Sequence, residues 1–232
     1  MKLEEIKLVI DKILNTQPGD FLLATKQEDY LTYRISSELT SNSIDSYFPT
    51  QFKRVDIAEI NSKNASVVKL IEAKYHYSSD FSELFDYGEK CTRKDFEKLA
   101  RVSKDYDKSE KFLLQFVIHF SEKDITKWED YLIKPKIQFE SNLKYFTYLN
   151  NADIRRFRRD LKFRNKKENH LYSKNFENYF IDEVKSYGLP DLNIEGNLKF
   201  DLSNATIMFD KKEFQIPHCL HCFLWKIQSV KY

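Results

Sequence analysis

Glycine and proline are scarce, at 4 and 5 residues in 232. That leaves little material for flexible linkers, and no internal repeat is visible. Cysteine is scarce too: Cys91, Cys219 and Cys222 stand in a chain with no export signal, so reduced thiols and a cytoplasmic setting are expected. No run is long and apolar enough to span a bilayer, and no membrane role is expected. The N-terminus, MKLEEIKLVIDKIL, puts Ile6, Val9, Ile10 and Ile13 on one helical face and is expected to be an amphipathic helix, not a signal peptide. There is no Gly-rich phosphate loop, and no Ser-His-Asp arrangement can be argued from spacing. Net charge is only +2, so affinity for nucleic acid must come from local patches.

What is present is apolar material for a core, 41% of residues, with a clear periodicity. From Lys26 to about Tyr47 the pattern is helical, with Leu31, Ile35 and Leu39 every fourth residue and Pro49 closing it. FKRVDIAEI (52–60) and VVKLIEAKYHY (67–77) are rich in β-branched and aromatic residues, and the polar turn between them predicts an antiparallel hairpin. Thr92 with Asp95 resembles a capping box opening a helix to roughly Tyr106. FLLQFVIHF (112–120) is almost wholly apolar, as a central strand covered on both faces requires. Ser121 and Asp124 begin another helix carrying Ile125, Trp128 and Leu132. The expected fold is α/β, a mixed β-sheet flanked by helices over residues 1–135. Residues 136–232 follow as a C-terminal α+β elaboration, a possible DNA-contacting subdomain. There 174–187 look helical, and LKFDL, TIMF and EFQI could form a small meander.

Inside this apolar pattern sit misplaced charges. Of the acidic-any-Lys triplets, at Glu5, Glu72, Asp160, Glu183 and Asp210, only Glu72-Ala73-Lys74 falls within an expected buried strand. Side chains alternate along a strand, so Glu72 and Lys74 share a face. Asp56, between Val55 and Ile57, would be brought close to Glu72 by the hairpin. Two carboxylates and an ammonium on one patch of sheet make a hard-oxygen site for Mg²⁺ with a cation beside it. Glu38, following Leu31 and Ile35 at helical spacing, could add a helix acid. His76 is in phase with Lys74 and could touch a phosphate or mark the exposed strand end. A plainer alternative puts Asp56 on an exposed edge and makes Glu72–Lys74 a surface pair.

The order helix–strand–strand–helix–strand, with RVDIAEI followed by LIEAKYHY, resembles the PD-(D/E)XK nuclease superfamily, which includes many type II restriction endonucleases. The resemblance covers roughly residues 26–121 and also includes the helix RKDFEKLARV. Arg54-Val55 replaces the proline that would precede Asp56. The resemblance implies a restriction-endonuclease-like core and an endonuclease that hydrolyses phosphodiester bonds in DNA. It assigns catalysis to Asp56, Glu72 and Lys74, metal binding to Asp56 and Glu72, and the helix acid to Glu38. Mg²⁺ is the implied cofactor, with Mn²⁺ as a substitute, and a homodimer cutting both strands is the implied assembly. A structure-specific or RNA-cleaving nuclease on the same core, or a nucleic-acid-binding module without turnover, remains open.

Two further segments stand out. IRRFRRDLKFRNKK (154–167) carries eight basic residues against one acid, Asp160. A helix there would turn Arg155, Arg156, Arg158, Arg159 and Lys162 outward, a face suited to phosphate contacts or simply to solvent. PHCLHCFLW (217–225) offers His218, Cys219, His221 and Cys222. Four ligands within five residues rarely wrap one zinc ion, and the flanking Leu220, Phe223, Leu224 and Trp225 look like core.

Overall fold

The amphipathic N-terminal segment forms α1 (Leu3–Thr16), and Ile6, Val9, Ile10 and Ile13 are its buried residues. Helix α2 (Glu28–Asn42) buries Leu31, Ile35 and Leu39, and the two helices help to cover one side of a seven-stranded sheet. This computed structural model describes residues 2–16, 28–77, 95, 98–99, 101–102, 105–120, 176–186, 192–202, 206–209, 212–215 and 218–228. Among the described residues, no helix is long and apolar enough to cross a membrane.

The expected hairpin is β3 (Val55–Asn61) and β4 (Val67–Tyr77), paired antiparallel with Ile57 opposite Ile71 and Ala58 opposite Leu70. Two short strands, β1 (Ser46–Tyr47) and β2 (Thr50–Phe52), pair with β3 as well. Strand β5 (Glu110–Phe120) runs parallel to β4. Parallel neighbours need a crossover of a dozen or more residues. Here it spans 78–109 and is helical at Asp95, Lys98, Leu99, Arg101 and Val102.

The C-terminal third joins the same sheet. Strand β6 (Leu192–Asp201) forms an edge, and β9 (His218–Ile227) lies between β6 and β5, antiparallel to both. LKFDL and the two runs after it therefore do not make one meander. Leu198–Asp201 belong to β6, whereas among the described residues β7 (Thr206–Phe209) and β8 (Lys212–Gln215) pair with each other as a separate two-stranded sheet. The sheet is mixed and open, with helices, and the chain is of the α/β class.

Alternation along the strands divides the core into two layers. Ile57, Ile71, Tyr75, Phe116, Leu220 and Cys222 pack on one side with α1 and α2. Ala58, Leu70, Leu113, Val117, Phe223 and Trp225 pack on the other, with Leu99 and with Phe176, Phe180 and Val184 of α3 (Phe176–Ser186). Covered on both faces, β5 and β9 are apolar along most of their length, with Gln115 and His221 as buried exceptions, which is why their sequences show no polar alternation. The expected helix after Ser121 and the basic run with Arg155, Arg156, Arg158, Arg159 and Lys162 lie outside the described residues. So do Cys91 and the side chain of His76.

Candidate metal and catalytic site

Asp56, Glu72 and Lys74 of the hairpin share the face that packs against the crossover. One step beyond Ile57–Ile71 in the β3–β4 register, Asp56 falls opposite Glu72. Both are buried: Asp56 is 8% exposed and Glu72 1%. Asp56 is held from two sides, since its Oδ2 accepts the Ala73 amide at 2.8 Å and its Oδ1 accepts the Gln51 side-chain amide at 3.3 Å. Gln51 belongs to a tight turn in which Gln51, Lys53 and Arg54 take φ values of 54°, 51° and 73°. Such left-handed backbone costs a non-glycine residue about 1 kcal/mol or more. This strained turn immediately precedes Asp56.

Glu72 is met from the crossover. Lys98 Nζ lies 2.5 Å from its Oε1, while its Oε2 is buried with no hydrogen-bond partner. Burial, then the Asp56 charge, pushes the Glu72 carboxyl up to about 8 despite the contact with Lys98. Lys74, two residues on, points toward a different pair of acids: Asp95 Oδ1 at 3.4 Å and Glu28 Oε1 at 3.6 Å. Burial alone would push the Lys74 ammonium down, but Asp95 and then Glu28, with smaller help from Glu72 and Asp56, hold it above the ordinary lysine value. Lys74 is therefore a cation at neutral pH. Asp95 is itself 8% exposed. Burial raises its carboxyl to about 6 against the pull of Lys74, and its Oδ2 has no partner.

The helix acid beside Lys74 is Glu28, not Glu38. Glu28 begins α2, and its Oε2 also accepts the Tyr75 amide at 2.9 Å, which fixes the helix start against β4. Glu38, although on the same helix, turns to α1 and meets Lys12 Nζ at 2.5 Å. There it lines a groove of about 910 Å³ with Glu59, Lys69, Glu110 and Lys226, apart from Asp56 and Glu72. The charges of that groove largely satisfy one another: Lys69 pairs with Glu59 at 2.5 Å, and Lys226 with Glu110.

Sequence reasoning missed Asp95, Lys98, Glu28 and Gln115. Asp95 was visible as a helix-start acid and Gln115 as the one amide in FLLQFVIHF, but nothing local tied either to the hairpin. Gln115 is fully buried and lies beside Lys74 in the parallel register. Its Oε1 accepts the Trp225 indole N–H at 2.7 Å, leaving Nε2 without a partner. In β9, alternation puts Cys219 and His221 on one face, Sγ and Nε2 3.1 Å apart, whereas Cys222 packs in the opposite core layer. Those residues do not surround one ion. Burial, aided by Lys199, lowers His221 to about 3, so its ring is neutral at pH 7.

Among the described residues, no three His, Cys, Asp or Glu side chains are already grouped to hold a metal ion. The donor chemistry of the hairpin nevertheless fits a hard divalent cation. It provides two opposed carboxylates and a third nearby, with buried oxygens on Glu72 and Asp95 that lack partners. A cation would offset both the burial and the Asp56 repulsion that raise Glu72.

This crowding has a consequence for stability. Between about pH 4.5 and 8 the folded protein keeps a proton on Glu72 that the unfolded chain has lost, and Asp95 adds to this up to about 6. Stability then falls as pH rises through that window, because the native state binds more protons. Melting in chelator should therefore give a lower Tm at about pH 8 than at about pH 5. A Tm that is level or climbs over this range would show the two carboxylates to be ionised already at pH 5, since His221, buried neutral, raises stability with pH up to about 6.5.

Comparison with known proteins gives no family-model match, no match among curated proteins and no match among solved structures.

Proposed function

We propose that the chain is a metal-dependent endonuclease with a restriction-endonuclease-like core, acting on the phosphodiester backbone of DNA. The observation that carries this reading is the pairing of Asp56 with Glu72 across one hairpin, with Lys74 held as a cation on the same face. The antiparallel β3–β4 pair, the helical crossover and the parallel β5 support the same core. Mg²⁺, with Mn²⁺ as a substitute, would supply charge stabilisation and a more acidic attacking water when bound.

The chain's own residues do the rest. Asp56 and Glu72 present the oxygen ligands, and the Ala73 amide and Gln51 fix the Asp56 carboxylate in place. Asp95 and Glu28 restrain the Lys74 ammonium from two sides, so it can stabilise charge developing on a phosphoryl oxygen without first being reoriented. A permanently protonated lysine is suited to that role and not to accepting a proton from water. A cytoplasmic homodimer that cuts both strands completes the proposal.

Incubation of supercoiled plasmid with the protein in Mg²⁺ should give nicked and linear product, and chelator should prevent it. Parallel incubations with structured RNA and branched DNA separate the substrate classes. Failure to cut any nucleic acid in Mg²⁺ or Mn²⁺, with no metal-induced shift in melting, would make the protein a binding module with a buried ion network.

A further inference from the structure

Four ionisable side chains form two crossed pairs at the site. Asp95 and Lys98 lie one turn apart on the crossover, and Glu72 and Lys74 lie two residues apart on β4. Each helix residue pairs with the oppositely charged strand residue: Lys98 with Glu72, Asp95 with Lys74. The Lys98–Glu72 contact is the closer, at 2.5 Å against 3.4 Å, and the strand residue it engages is 1% exposed. Glu72 is also one of the two carboxylates assigned to the divalent cation. Its Oε1 is committed to Lys98, while Oε2 is buried without a partner.

We infer that Lys98 is an internal competitor for the divalent cation, occupying Glu72 in the metal-free protein and releasing it when metal binds. The inference rests on the assignment of Glu72 as a metal ligand. An ammonium and a divalent cation cannot both take the Oε1 lone pairs and the field beside Asp56 without repelling each other. Lys98 is partly exposed, at 26% of its side chain, on a long unbranched stem, so its head can swing to solvent while Glu72 stays in the strand. Without metal it gives the buried Glu72 carboxyl a hydrogen-bond partner on the side away from its unpartnered Oε2. Metal affinity is thereby reduced, and the metal-free fold is stabilised, by the same contact.

The test is calorimetric titration of chelator-stripped full-length protein with Mn²⁺ alone. Lys98→Gln should lower the half-saturating Mn²⁺ concentration about tenfold, equivalent to about 1.4 kcal/mol. Lys98→Arg, whose planar fork can grip the carboxylate at two points, should raise it. Adding Glu72→Gln to Lys98→Gln should erase the gain. Unchanged or weaker Mn²⁺ binding by Lys98→Gln, or a gain that survives Glu72→Gln, overturns the inference. Should Lys98→Gln not fold in chelator, Lys98→Arg decides: weaker binding supports competition, and equal or tighter binding refutes it. Absence of Mn²⁺ binding in every variant overturns both this inference and the metal-dependent nuclease. Tighter binding by Lys98→Gln in a protein that cuts no nucleic acid leaves the competition standing and removes only the nuclease.

Discussion

Lys74→Ala should lower plasmid cleavage roughly a thousandfold at saturating Mg²⁺ while binding of uncut DNA in Ca²⁺ stays near wild type, the pattern expected when a group acts mainly on the transition state. The structure adds a cost in stability. Lys74 is the counter-ion of Asp95 and Glu28, and its loss leaves Asp95 buried with its Oδ1 charge unmatched. Removing one partner of a largely buried pair should destabilise by about 2 kcal/mol, partly recovered as Asp95 takes up a proton. Cleavage therefore has to be measured well below the lowered Tm. Activity within tenfold of wild type under those conditions would remove Lys74 from the chemistry and leave it a structural ion.

The second large effect concerns Asp56, where two substitutions should part company. Asp56→Asn removes the charge that helps raise Glu72 but keeps an oxygen able to accept the Ala73 amide. It should melt higher than wild type in chelator, lose the Mn²⁺-induced rise in Tm, and cut no DNA. Asp56→Ala loses the same charge and also leaves a buried amide unpaired, which costs about 1–3 kcal/mol and offsets the relief. A structural ion pair predicts instead that both variants melt lower in chelator. Thermal melts of wild type and both variants, with Mn²⁺ and with chelator, separate these cases.

The hairpin was legible because its signal is local. Two apolar β-branched runs and a short polar turn fix β3 and β4 within a few residues, and alternation then puts Glu72 and Lys74 on one face. The strand character of 112–120 was equally plain, since a segment covered on both faces is apolar along nearly all its length. What could not be seen was any partner arriving from a distance. Helical phase singled out Glu38 because it follows the Leu31–Ile35 stripe, but phase gives direction around a helix and not position along it. Glu28, ten residues nearer the start, is at the end of α2 that meets β4. Asp95 and Lys98 come from a crossover whose docking depends on the whole sheet. For β9, PHCLHCFLW was legible as core but not as the neighbour of β5, because pairing across a hundred residues leaves no local mark.

That last pairing also bears on how the chain is made. Glu110–Phe120 is complete long before His218–Ile227 leaves the ribosome, and at roughly 5–20 residues per second the delay is on the order of ten seconds. Throughout it, one side of β5 has no strand to receive its backbone N–H and C=O groups, and the strand is among the most apolar in the protein. An unsatisfied apolar edge in a nascent chain is a template for pairing with other chains. Synthesis of this protein therefore passes through an interval of exposure to aggregation that ends only when Ile227 has emerged.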